Sequence, residues 1–374
     1  IPEENKIDTN AIITEENKID IDNTLIIEGN NHSIDFNNYS LLFNVKDTAS
    51  IVFKDLIIKN LDSSSPFINN NGTVSFKNCR IINNSILNEN LINNNESLIL
   101  INTIFSNNYT NRPLINNKKK LSIIDNSFLI NNNDTGTIIS NFNECRIENS
   151  RFMHNVSKNK DASIRNELKA NMEIIKSEFK DNYGKEAGSI SNYNFITISE
   201  CLFESNRTEN EGGAINNQIG SELKIKNSKF IANASNNEGG AIKNKGKVGI
   251  IKSLFEKNKA KFDGGVLFNH SGGRFDIEDS IFKENNARIG GTIVNWNKIQ
   301  IRNCEFEANH AIYGAAIYTF PRSSLDLLES RFKENISENG GVILKDKDSY
   351  LYFNECKFEN NIPDNVSETI PEKT

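Results

Sequence analysis

The chain is poor in the residues that most often carry chemistry or cross-links. Its 374 residues include one Trp, two Met, four His, five Cys and six Pro. The four His (His32, His154, His270 and His310) fall in unrelated sequence contexts, and no Cys-x-x-Cys or Cys/His spacing occurs. Neither supplies a metal-ligand pattern, so no metal and no other cofactor is expected. No apolar run is long enough to cross a bilayer, so no membrane insertion is expected within these residues. The net charge is −6 and the estimated pI is near 5.5. That balance argues against a nucleic-acid partner, which would call for a clustered basic face. The one dense basic run, Lys118-Lys119-Lys120, reads as a solvated turn. Residue 1 is Ile with no basic and apolar leader after it, which points either to a removed signal peptide or to a segment of a longer chain.

Asn is the residue in excess, at 64 of 374. Asn is a poor helix former and a good turn former, so this abundance suits a fold made largely of turns. A paired motif recurs with it. Phe203 and Asn206 form a Phe-x-x-Asn unit, followed by Gly212-Gly213-Ala214-Ile215. The pair returns at Phe230/Asn233 with Gly239-Gly240-Ala241-Ile242, and at Phe255/Asn258 with Gly264-Gly265-Val266-Leu267. It continues at Phe282, Phe306 and Phe332. Counting Ile34, Ile58 and Ile81 as equivalents of Phe, fourteen such positions lie 23 to 27 residues apart between Ile34 and Phe358. Each except Ile58 has Asn three residues on, so Asn37 is expected to join the same row as Asn233. A period of this length marks a solenoid.

Within a repeat the apolar residues alternate. Leu223-Lys-Ile225, Val248-Gly-Ile250 and Ile299-Gln-Ile301 have a period of two, which belongs to strands and not helices. Three short apolar pieces per repeat predict a single-stranded parallel β-helix of about 14 coils, each of roughly 25 residues. Stacking at about 4.8 Å per coil would give a rod of about 65–70 Å. A second Asn row follows the third piece from Asn70 to Asn295 and ends where Thr319 and Lys345 replace it. Both rows are expected to form amide ladders along the stack. Residues 1–23 read as an N-terminal cap, 24–361 as the β-helix and 362–374 as a linker or tail, beyond which the chain is expected to continue.

Cys79, Cys201, Cys304 and Cys356 share a position two residues before the repeat Phe or Ile, which in seven other coils holds Ser or Thr. That is a small inward position, and free, buried thiols are expected there. Thirteen Asn-x-Ser/Thr sequons occur, but Asn108, Asn155, Asn206, Asn233 and Asn335 are ladder residues whose amides are expected to be occupied.

Phe-x-x-Asn alternating with Gly-Gly-Ala-(Ile/Leu/Val) resembles the repeat of the polymorphic membrane protein family of adhesin-like surface proteins. The likeness is clearest over residues 179–361 and weaker over 24–178, where Gly-Gly is missing. The resemblance implies a right-handed parallel β-helix displayed at the cell surface, in many members for adhesion, with structural and not catalytic motifs. Chlamydial members end in a membrane-embedded β-barrel, and nothing in this sequence looks like one.

Parallel β-helices also serve as polysaccharide lyases and glycoside hydrolases, so that alternative stands beside adhesion. Hydrolysis needs carboxylates converging at a set separation. The acids here (Glu204, Glu256, Glu284, Glu307, Glu334 and Glu359) are scattered along the face after the repeat Phe, with Lys283 and Lys333 among them, and read as a mixed-charge solvent face. No catalytic residue is expected. The residue after the second Asn row gives a candidate for ligand stacking: His270, Trp296 and Phe320 fall in one column of three adjacent coils, with Tyr318, Pro321 and Arg322 nearby. Aromatic faces at an exposed turn can take the apolar face of a sugar ring; the plainer reading is that the rings pack on each other. The expected protein is therefore an extracellular, non-catalytic rigid stalk or ligand-presenting module, monomeric or part of a longer chain. Its expected partner is a cell-surface polysaccharide or a protein receptor. A pure spacer is a third reading.

Overall fold

Hydrogen bonding between successive coils dominates the architecture. A computed structural model describes residues 18–133, 136–161 and 163–368. Those residues form three sheets of parallel strands and no helix. The first and second sheets have 14 strands each, every strand paired with its equivalent one coil away. The coil around Phe230 shows the plan: Glu222–Lys226 lies in the first sheet, Lys229–Ile231 in the second, and Ala234–Ser235 and Ile242–Asn244 in the third. This is the parallel β-helix that the repeat predicts. A coil holds four strands and not three, because the two-residue strand of the third sheet is too short to carry an alternation pattern.

Alternation aims Leu223, Ile225 and Phe230 into the rod and leaves Lys224 and Lys229 outside. The eleven Phe from Phe105 to Phe358 form one stack, with successive ring centroids 4.7–5.0 Å apart and planes within 13°. That spacing is the inter-strand distance itself, so each ring rests on the next in the offset geometry aromatic faces prefer.

Both amide ladders form. In the first, each Asn from Asn84 to Asn335 donates its Nδ2 to the Oδ1 of the next, at 2.8–3.2 Å, as far as Asn361. In the second, Asn70 to Asn295 are linked in the same way at 2.6–3.1 Å. Beyond it Thr319 Oγ1 pairs instead with Ser349 Oγ at 3.0 Å. Asn37 is not a member of the first ladder. It is exposed with φ of 48°, and its backbone N–H donates to Asp35. The ladder position of the next coil is filled by Leu61, whose N–H donates to Asn84 Oδ1 at 3.0 Å. The ladder therefore starts at Asn84, even though Ile34 itself stacks in register on Ile58.

The Gly-Gly corner meets both needs of a tight turn at once. Gly212 has φ of 70°, and a Cβ on Gly213 would collide with the carbonyl oxygen of Gly240 in the next coil. Cys79, Cys145, Cys201 and Cys304 are free and buried; Cys356 is free and half-buried. Cys145 occupies a different position from the other four, on a first-sheet strand between Leu121 and Met172.

Both ends of the described chain carry strands that extend the third sheet. Lys18–Ile21 pairs in parallel with Leu42–Val45 and so belongs to the third sheet, placing the first strand within the stretch assigned to a cap. Residues 1–17 lie outside the described residues. Ile362–Ser367, assigned to the tail, pairs with Ile336–Lys345 and extends the same sheet. The exposed donors and acceptors of a terminal strand draw any adjacent extended segment into register, whatever its side chains. Residues 369–374 lie outside the description.

Candidate functional site

The column proposed for ligand stacking is built by the third sheet. Leu267–Asn269, Ile293–Asn295 and Ile317–Thr319 are adjacent strands, and the residue after each is His270, Trp296 and Phe320. Each donates its N–H to the ladder Asn carbonyl of the preceding coil: His270 to Asn244 at 2.8 Å, Trp296 to Asn269 at 2.9 Å and Phe320 to Asn295 at 2.9 Å. The three are thus held in one column by backbone register alone. Trp296 and Phe320 stack face to face, 3.6 Å between centroids and 13° between planes. Tyr318 meets Phe320 edge-on at 4.7 Å. Trp296 remains 40% exposed. The structure brings Trp296 and Phe320 together. His270 sits in the same column, exposed, with its Nδ1 against the Ser271 hydroxyl at 3.1 Å. Partial burial, with the charges of Lys243 and Lys245, lowers the pKa of His270 and favours the neutral ring. Pro321 and Arg322 form the turn below Phe320, closed by Ser323 Oγ donating to the Phe320 carbonyl at 2.6 Å.

Beside this column lies a layer that alternation alone conceals. The middle residue of each third-sheet strand points outward, yet Lys243, Phe268, Val294, Tyr318 and Leu344 are all buried. Phe268, Val294, Tyr318 and Leu344 form a second apolar cluster, with Ile289, Tyr313 and Phe320 packed against it. The signal in the sequence is the residue immediately before each Gly-Gly corner. It is Glu211, Glu238 and Asp263 in three coils, then Ile289, Tyr313 before the equivalent Gly314-Ala315, and Asn339. Isolated bridges hold Glu211, Glu238, Asp263 and Ile289 in one parallel row.

Beneath the acidic row the layer is Asn216 in the coil of Glu211, Lys243 in that of Glu238 and Phe268 in that of Asp263. Lys243 is 3% exposed and its Nζ pairs with Glu211 and, at 2.6 Å, with Glu238. Lys245 reaches Glu211 at 3.3 Å. Burial acts to raise the pKa of Glu211, but Lys243 and Lys245 outweigh it, and the net shift is downward. Earlier in the rod Arg165 plays the same part, with Glu167 at 2.9 Å, Asp161 and Glu186 at 3.4 Å, and the Tyr193 ring 4.1 Å below its guanidinium. Asp161 is fully buried and accepts a hydrogen bond from Ser191. Burial pushes its pKa up to about 7 against the pull of Ser191 and Arg165.

The carboxylates of the strand face follow the mixed-charge pattern. Glu204 pairs with Lys180 at 3.0 Å, Glu307 with Lys283 at 3.4 Å and Lys333 at 3.3 Å, and Glu359 with Arg331 at 2.5 Å. Each pair bridges neighbouring coils. Among the described residues no group of three or more His, Cys, Asp or Glu is placed to hold a metal ion. The ladder sequon residues Asn108, Asn155, Asn206, Asn233 and Asn335 are buried with their amides hydrogen-bonded, so none of them can carry a glycan without breaking the ladder.

The stack defines the class of the chain as a parallel β-solenoid. No family profile matches it. Two curated relatives come from Dictyostelium discoideum. Metabotropic glutamate receptor-like protein R is 28% identical over 206 residues, covering 53% of this chain and 13% of the relative. Metabotropic glutamate receptor-like protein P is 30% identical over 114 residues, covering 30% of this chain and 8% of the relative. The chain thus matches only a small part of either. A solved structure, the bacteriophage CBA120 tailspike protein 3, aligns over 93% of this chain and 57% of its own, at 13% identity and a TM-score of 0.39.

Proposed function

We propose that the chain is the rod of a cell-surface, adhesin-like protein, non-catalytic, which holds ligand-binding side chains in columns about 4.8 Å apart. The expected ligand is a polysaccharide, with Trp296 and Phe320 as the stacking surface. The repeat's likeness to the polymorphic membrane protein family supports this reading. Two relatives described as receptor-like agree with a surface location.

The observation that carries the non-catalytic reading is how the acids are employed. Asp161, the carboxylate held near neutrality where a general acid would need to be, is sealed from solvent. The open-face carboxylates Glu204, Glu307 and Glu359 are each tied to a Lys or Arg of an adjacent coil. The stacked pair leaves Trp296 with exposed surface while fixing its orientation, which lowers the entropy lost on binding.

The test is titration with neutral and acidic polysaccharides, following Trp296 fluorescence and the polymer's chain length together. The expected outcome is a saturable shift, weakened in Phe320→Ala, with the polymer left intact. Shortened polymer would overturn the non-catalytic reading in favour of a polysaccharide-active enzyme. No fluorescence response to any polymer would remove the aromatic column as a site.

A further inference from the structure

The two-residue strands of the third sheet carry a groove unlike the rest of this acidic protein. Tyr183, Arg207, Ala234, Lys259, Asn286 and His310 occupy one outward column in six successive coils, fixed by parallel register. Two open hollows lie along it, of about 430 Å³ and about 520 Å³. They share Ala234, Asn236 and Lys259, so they form one continuous groove. Ala234 explains the recess. It stands between Arg207 and Lys259 in the column, and its short side chain leaves open the space that long neighbours would fill.

The lining is one-signed. Arg207, Lys257, Lys259, Lys261 and Arg288 contribute to it, and no Asp or Glu does. Lys257 is compensated, with Glu256 at 3.3 Å and Glu284 at 3.7 Å. Among the described residues Arg207, Lys259, Lys261 and Arg288 make no ion pair. What sets these cations apart is that they gather along one groove whose lining includes no carboxylate. Lys261 and Arg288 are instead held at the ring of Phe262, 5.3 and 5.5 Å from its centroid. That contact keeps two long side chains at the groove without neutralising either.

Shape and charge together select the ligand. Five coil intervals make the groove about 24 Å long. It is open, one strand wide and parallel to the rod axis, which fits an extended chain. Arg207 and Lys259 are two coils apart along that axis and Lys261 and Arg288 one coil apart, which suits a polymer bearing negative groups repeatedly along its length. Asn236 and Asn286 add amide groups suited to hydroxyls. We propose that this groove binds a linear acidic polysaccharide carrying carboxylate or sulfate groups along an extended sugar chain. The proposal deepens the surface-adhesion reading and rests on it only for where such a polymer would be met. The site is separate from the Trp296 column.

The experiment is calorimetric titration of the whole chain with polygalacturonate, dextran sulfate and neutral dextran, at low and at physiological salt. The expected result is binding of at least one polyanion, weakened by salt, with none of neutral dextran. Preference between the two polyanions tells carboxylate from sulfate. A Lys259→Glu/Arg288→Glu variant should lose affinity by about tenfold or more, while Lys226→Glu/Lys229→Glu, with the same charge change on other faces, should stay within about twofold. All these residues are exposed, and unchanged thermal unfolding would verify that each variant folds. Equal losses in both variants would overturn the groove in favour of diffuse charge attraction. Failure to bind either polyanion would overturn it outright. Duplex DNA bound as tightly as the polysaccharide, and lost in the same variant, would replace the proposed ligand class. Shortened polymer would sink the non-catalytic reading yet leave the groove standing, whereas loss of polyanion binding would leave Trp296-dependent binding of neutral polymers untouched.

Discussion

Asn37 and Asn233 have the same place in the sequence repeat and opposite places in the structure, which makes them a direct test of what the amide ladder contributes. Asn233 Oδ1 accepts from the backbone N–H of Asn206 at 3.1 Å and from its Nδ2 at 2.9 Å. Its own Nδ2 donates to the Phe203 carbonyl at 2.9 Å and to Asn258 Oδ1 at 3.0 Å. Asn233→Ala removes all four. Asn258 Oδ1 still accepts from the backbone N–H of residue 233, and Asn206 Nδ2 keeps its bond to the Phe179 carbonyl. Two buried N–H donors of Asn206 lose their acceptor. At roughly 1–3 kcal/mol for each orphaned group, the expected cost is about 3 kcal/mol or more. Asn37 is exposed, so Asn37→Ala should cost at most about 1 kcal/mol, chiefly the penalty for Ala at positive φ. Urea unfolding of both variants measures the difference. Hydrogen exchange locates it, since in a stack of repeats the damage should be concentrated in the coils of Asn206 and Asn258. Equal costs for the two substitutions would refute the reasoning, because the ladder would then contribute no more than an exposed turn amide.

Three further outcomes are expected. Native protein treated with iodoacetamide at pH 8 should be labelled at Cys356 alone, with all five thiols reacting after denaturation; burial raises Cys79, pushes Cys201 up to about 11 and Cys304 up to about 12, and raises Cys145 further. Asp161 has its pKa raised from 3.8 to about 7 on folding, so the native state binds the extra proton between those values and stability falls as pH rises from about 4 to about 7; Asp161→Asn should flatten that slope in pH-dependent urea unfolding. Gly213→Ala should destabilise by about 3 kcal/mol through collision with the Gly240 carbonyl, whereas Gly249→Ala, with open space at its Cβ, should leave the thermal midpoint nearly unchanged.

The fold was legible because each coil repeats the same physical solution. Phe-x-x-Asn puts a ring inside and an amide at the corner, and a stack of coils needs little else to be recognised. Legibility failed where one spacing serves two geometries. Ile34-x-x-Asn37 reads like Phe230-x-x-Asn233, but Phe36 is buried, Asn37 turns outward and Leu61 takes the ladder position above it. It failed again where a segment was too short for periodicity to show, as in Ala234–Ser235, the strand that places Ala234 in the groove. The aromatic column was legible from register, since Trp296 and Phe320 are neighbours whenever their ladder Asn residues are. That the two rings face each other, while His270 turns to Ser271, depends on rotamers no spacing encodes.

The covering layer shows why alternation misleads on this rod. Period two assigns Lys243, Phe268 and Val294 to solvent, and in an isolated coil they would be there. The segment before each Gly-Gly corner folds back over them, so the same strand position becomes a second interior. Its chemistry follows the residue before the glycines at two places, Glu211 and Glu238 over Lys243 and Ile289 and Tyr313 over the apolar cluster, while Asp263 precedes the strand of Phe268. A buried Lys with carboxylates and a buried Val with Ile are two solutions to one desolvation problem, and each requires its partner in the covering segment. Co-variation is therefore expected between residues some thirty apart, such as Glu211 with Lys243, rather than between sequence neighbours. A cation placed under Ile289, as in Val294→Lys, would have Asp263 of the preceding coil but no carboxylate of its own coil, and should loosen the layer, whereas the same residue at 243 is held by two.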